Sequence, residues 1–134
     1  MITAEQYAET IITSLKKREF YKSKLSWYKK QDGVTILLNI QKSQYGADVW
    51  YYNFGIGINA LHKRITSINN CDMVYRIEQR IQGKWVDQEA LIRILDRWLD
   101  KYGTIEKMHK HALAGTLPAS IDRVALVYLT TVVF

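Results

Sequence analysis

The sequence predicts an α+β domain: an antiparallel β-meander of about four strands packed against an N-terminal helix and C-terminal helices. Three patterns predict it. Apolar residues recur at helical spacing near both ends, two-residue alternation fills the middle, and an Asp-Gly pair joins two alternating runs. The 134 residues carry no repeat, low-complexity stretch or linker, so residues 1–134 read as a single domain.

The first helix has a start signal in Thr3, with Gln6 three residues on in a capping-box pattern. Tyr7, Ile11 and Leu15 share one face, widened by Ala8 and Ile12, and the helix should fade between Lys17 and Phe20. Asp32-Gly33 then predicts a hairpin, because glycine supplies the positive φ of a tight turn. Leu25–Lys30 and Val34–Gln41 should therefore pair antiparallel. A third strand, Val49–Ala60, points Trp50, Tyr52, Phe54, Ile56 and Ile58 to the core, beside Val34, Ile36, Leu38 and Ile40 of its neighbour. The opposite face holds Thr35, Leu37, Asn39 and Gln41 with Tyr51, Asn53, Gly55 and Gly57. That mixed set predicts a face partly open to water.

A polar loop, His62–Asp72, leads to a fourth strand from Met73, which Gly83 ends. Asp87 can cap the next helix, whose stripe of Leu91, Ile94, Leu95, Trp98, Leu99 and Tyr102 is the clearest in the chain. Gly103 stands where a C-cap glycine belongs. A shorter helix, about Ile105–Leu113, stops at Gly115 and Pro118. The segment Ser120–Phe134 is ambiguous. Ser120 can cap a buried helix, whereas the β-branched run Thr130–Val133 suits a strand; helix as far as Leu129 is the favoured reading. Tyr7, Ile11, Leu15, Ile36, Leu38, Tyr52, Phe54, Ile56, Leu91, Leu95 and Trp98 are the expected core.

Composition bounds the role. The chain is 48% hydrophobic and 24% charged, ordinary values for a globular protein. A single cysteine, Cys71, rules out an intramolecular disulfide and fits a reducing compartment. The first ten residues carry acids without a basic n-region, and the apolar tract Val124–Phe134 is too short to span a bilayer. A cytoplasmic protein without membrane association is expected. The formal charge of +6 is concentrated early, at Lys16, Lys17, Arg18, Lys22, Lys24, Lys29 and Lys30. Such a cluster can meet phosphates or an acidic protein, although most charge runs are solvated faces.

Candidate chemistry is sparse. His109 and His111 lie two apart, about 200° around a helix, so they cannot share a metal. Glu106 and His109 form half a metal site with no matching pair. No G-x-S-x-G, H-E-x-x-H, P-loop or G-x-G-x-x-G motif is present. Gly55-Ile56-Gly57 sits within a strand and reads as a bulge, a bend or the close approach of another backbone. Cys71 beside His62 reads as an inert buried thiol more readily than as a nucleophile. No enzyme activity, cofactor or metal is expected. Of the aromatic residues, Trp27 and Tyr28 fall among lysines, where exposed rings suit either base stacking or a protein interface.

One stretch carries more than periodicity. "LLNIQKSQYGADVWYYNFGIGI", followed by "CDMVYRI", resembles the bacterial family DUF4304, a domain of unknown function. The shared features are Gln41-Lys42-Ser43 closing a strand, the aromatic-x-x-Asn-x-Gly strand Trp50–Gly55, and Cys71 leading to Arg76-Ile77. The resemblance covers about Phe20–Ile81. It implies no particular activity. Because bacterial domains of this size include immunity proteins paired with toxins, the expected role is a non-catalytic protein-binding module with a protein partner, such as a toxin. Nuclease inhibitors tend to be acidic, so a basic chain would need a partner with an acidic face. The rival is nucleic-acid binding through the lysine-rich N-terminal third. The expected contact residues are Gln41, Lys42, Ser43, Tyr45, Tyr51 and Asn53, which either hydrogen-bond their own turn or line a polar patch left open by Gly55 and Gly57.

Overall fold

The computed structural model describes residues 4–23, 26–42, 49–80, 88–118 and 120–131. Side-chain surroundings are described for 11–22, 26–39, 51–76, 91–118 and 120–131. In chain order the elements are α1 (Ala4–Lys17), β1 (Tyr21–Ser23), β2 (Ser26–Gln31), β3 (Val34–Lys42), β4 (Val49–Ile58), β5 (Met73–Arg80), α2 (Gln88–Tyr102), α3 (Ile105–Ala114) and α4 (Arg123–Thr131). The five strands form one antiparallel sheet in sequence order, β1-β2-β3-β4-β5. The class is α+β. Among the described residues no helix is long and apolar enough to cross a membrane.

The predicted hairpin forms where Asp-Gly dictates. Asp32 and Gly33 have φ of 39° and 82°, so both central residues are left-handed, as a type I′ turn requires. The turn is also anchored to the helices. Ile105 N–H donates to the Asp32 carbonyl at 3.0 Å, and Gln31 Nε2 donates to the Gly103 carbonyl at 2.5 Å. Thr104 caps α3 by accepting from Lys107 N, and Gly115 ends it with φ of 69°.

The first sheet face holds Val34, Ile36, Leu38, Tyr52, Phe54, Ile56 and Ile58, each almost fully buried. Ile11 and Leu15 of α1, Leu91, Leu95 and Trp98 of α2, Met108 of α3 and Leu129 of α4 join the same core. The Phe54 and Trp98 rings lie 6.1 Å apart, joining sheet to helix. Tyr7 and Ile40 lie on described backbone, but their side chains fall outside the described set.

Several expectations change. The sheet has five strands rather than four, because three residues after α1 pair with β2 through Lys22 and Trp27. So short a strand has no alternation to read. Trp27 is not a surface ring among lysines. It is 5% exposed and belongs to the core, on the opposite side of β2 from Tyr28. The last helix runs to Thr131, and Asp122 rather than Ser120 accepts at its start, from Val124 N and Ala125 N. Thr130 and Thr131 stay helical by bonding back to carbonyls of the preceding turn.

The second sheet face decides between the two readings of Gly55 and Gly57, an open polar patch or the close approach of another part of the chain. Both glycines are buried. The segment between β4 and β5 folds back over them, and a Cβ at Gly55 would stand 2.5 Å from Cys71 Sγ, while one at Gly57 would stand 2.5 Å from Ile65 Cδ1. Side chains, not another backbone, make the close approach.

Two measurements check this packing. Leu95→Ala should lower unfolding stability by about 2–5 kcal/mol in chemical denaturation. Gly55→Ala forces its methyl into Cys71 and Ile68, and should destabilise by about 1–3 kcal/mol. A loss under about 0.5 kcal/mol for either would show that the respective face is not packed as described.

Candidate functional site

Strand register places four polar residues in one row across the second sheet face: Ser26 opposite Asn39, Asn39 opposite Asn53, and Asn53 opposite Arg76. Their side chains are joined head to tail. Arg76 Nε donates to Asn53 Oδ1 at 2.7 Å, Asn53 Nδ2 to Asn39 Oδ1 at 3.3 Å, and Asn39 Nδ2 to Ser26 Oγ at 3.4 Å. Each amide accepts on one side and donates on the other, so the bonds polarise one another in the same sense. Arg76 also lies over the Tyr51 ring, 4.9 Å from its centroid. The result is an exposed guanidinium held from two sides, by a buried amide and by a half-buried ring.

The expected contact residues are distributed around this row. Gln41 pairs with Tyr51 and Lys42 with Trp50 at the end of the β3–β4 ladder, while Ser43 and Tyr45 lie outside the described residues. Tyr51 and Asn53 come together through Arg76. Asn53 is 4% exposed, so it reaches a partner only through the Arg76 side chain it orients. Arg76 is the residue that sequence reasoning missed as a contact. Its signal was present in the alternation that puts it on the same face as Asn53, but only the register makes them neighbours.

The other half of this face is governed by Asp72. Its carboxylate is 4% exposed and accepts from Ile58 N at 2.7 Å and His62 Nε2 at 2.8 Å. Its backbone donates to Ile56 O and accepts from Asp122 N, both at 2.8 Å. One residue thus ties the β4 end, the following loop and the start of α4. Beside this loop lies a groove of about 550 Å³, walled by β2 and β3 on one side and residues 59 and 62–66 on the other.

The remaining chemically suggestive side chains have structural partners. His109 Nδ1 donates to Leu129 O at 2.6 Å, joining α3 to α4, and His111 Nδ1 meets Thr116 Oγ1 at 2.6 Å. Arg18 of the basic cluster is engaged in a two-pronged pair with Asp96 at 2.7 and 2.8 Å, pinning the end of α1 to α2. Cys71 is pressed between the glycine strand and its own loop. Burial, then the Asp72 charge, pushes its thiol up to about 12, so it is neutral at physiological pH. Among the described residues no three His, Cys, Asp or Glu side chains gather as a metal-holding group.

What fold and site define is an antiparallel α+β domain whose second sheet face is split between a closed glycine half and a polar, arginine-bearing half. The chain belongs to the family described as domain of unknown function DUF4304, whose model matches residues 11–112. That span takes in all five strands and reaches into α3. No curated protein and no solved structure matches the chain.

The state of Cys71 is directly testable. Alkylation at pH 8 should be far slower in the native protein than in denaturant, where the thiol titrates at about 8.5. Since the folded value is the higher one, this group's contribution is complete below about 8.5 and is lost as pH rises towards about 12. Equal native and denatured alkylation rates would show that the thiol is not enclosed.

Proposed function

We propose that this chain is a non-catalytic bacterial protein-binding module of the cytoplasm, of the immunity or inhibitor kind, that engages a partner with an acidic face. The observation that carries the reading is Arg76, exposed yet fixed by Asn53 at 2.7 Å and Tyr51 at 4.9 Å. Arginine and tyrosine are the residue types in which interface energy concentrates. An arginine ordered before contact loses less freedom on binding. The net charge of +6 favours an acidic partner and speeds encounter with it. Gln41, in register beside Tyr51, extends the same contact region.

A second reading rests on the exposed Lys16 and Lys22 beside Tyr21, which is 64% exposed. Cations next to an open ring suit single-stranded nucleic acid. Arg18, paired with Asp96, and the buried Trp27 subtract from that surface.

Co-purification from the native host separates the two. A stoichiometric protein companion should be retained in moderate salt and lost from the Arg76→Ala and Tyr51→Ala variants. Recovery of nucleic acid instead, with affinity falling linearly in log salt and unchanged by Arg76→Ala, would support the second reading and refute the first.

A further inference from the structure

We infer that the groove beside the 62–66 loop is a binding site for a phosphate-bearing ligand of nucleotide size. It is separate from the Arg76 contact region and stands whether or not that region binds protein.

The groove collects positive charge without a balancing acid. Lys63 and Arg64 project from the loop and Lys30 from β2, all three exposed, and no described carboxylate lines the space. Lys30 also borders a neighbouring hollow that includes Glu19, so Lys63 and Arg64 are the defining cations. Neither forms an ion pair with a described carboxylate. Asp72, behind the loop, is occupied by His62 and Ile58 N. A guanidinium beside ammonium groups matches the doubly charged, three-oxygen end of a phosphate better than a single carboxylate.

The floor adds polarity and a ring. Thr35, 2% exposed, donates its hydroxyl to Asn59 Oδ1 at 2.6 Å, and the exposed Asn59 lines the groove beside it. Tyr28 presents a half-exposed ring on the same wall, a surface on which a base can stack. The volume of about 550 Å³ lies within the range of small-ligand sites.

The cations are also presented on a fixed support. His62 is held by Asp72, and Ile65 and Ile68 sit against Gly57 and Gly55, so Lys63 and Arg64 ride on a loop anchored at both ends. Such preorganisation distinguishes a site from scattered surface charge.

Calorimetric titration of the full chain with ADP and with pyrophosphate at low salt tests the inference. Both should bind, ADP the more tightly. The double variant Lys63→Ala/Arg64→Ala should weaken both by about tenfold or more, while Arg97→Ala/Lys101→Ala, exposed on α2 across the sheet from the groove, should leave them within about twofold. Tyr28→Ala should weaken ADP and spare pyrophosphate. Thermal melts of each variant establish that the fold is retained. Absence of binding at millimolar ligand would overturn the inference, as would equal losses in the two lysine-containing double variants. Binding that appears only with oligonucleotides would also overturn it, marking a nucleic-acid surface instead.

Discussion

Asp72 carries a nearly enclosed carboxylate, and the arrangement of the second sheet face depends on it. A buried charge is tolerated only where donors surround it, and here they come from Ile58 N and His62 Nε2, one at the end of β4 and one in the loop that follows. The Asp72 backbone adds bonds to Ile56 and Asp122. The chain is thereby forced to turn back over β4 instead of leaving the sheet. Gly55 and Gly57 make that turn-back possible, because any Cβ there would occupy the space of Cys71 and Ile65. The polar clamp and the missing side chains are two halves of one device.

The loop divides the face. On one side it closes over the glycines and raises the groove wall that bears Lys63 and Arg64. On the other lies the row from Ser26 to Arg76, which ends in an exposed guanidinium. The row's amides are satisfied within the sheet, so polarity on this face has a structural use that does not exclude a contact role. Asn53 illustrates the division of labour. It is a buried hydrogen-bonding residue whose outward effect is exerted through Arg76.

Much of this was legible in the residues. The Asp-Gly turn, the alternation of β3 and β4, and the helical stripe of α2 each correspond to one local pattern, and each appears as read. Asn39 and Asn53 were read onto one face, and the β3–β4 register sets them opposite each other. Trp27 was misread because a tryptophan between polar neighbours looks exposed unless the inner face of its strand is known. The short β1 was missed because three residues have no period.

The sequence by itself determined which residues form helices and strands, and which face of each strand is apolar, because those properties depend on spacing within one segment. Only the tertiary structure decided what covers the other face. That depended on contacts outside any one element: His62 with Asp72, Asp122 with Asp72, Arg76 with Asn53. A glycine pair in a strand does not announce whether its space is empty or filled. Here Cys71, Ile68 and Ile65 fill it, as only the path of the returning loop could specify.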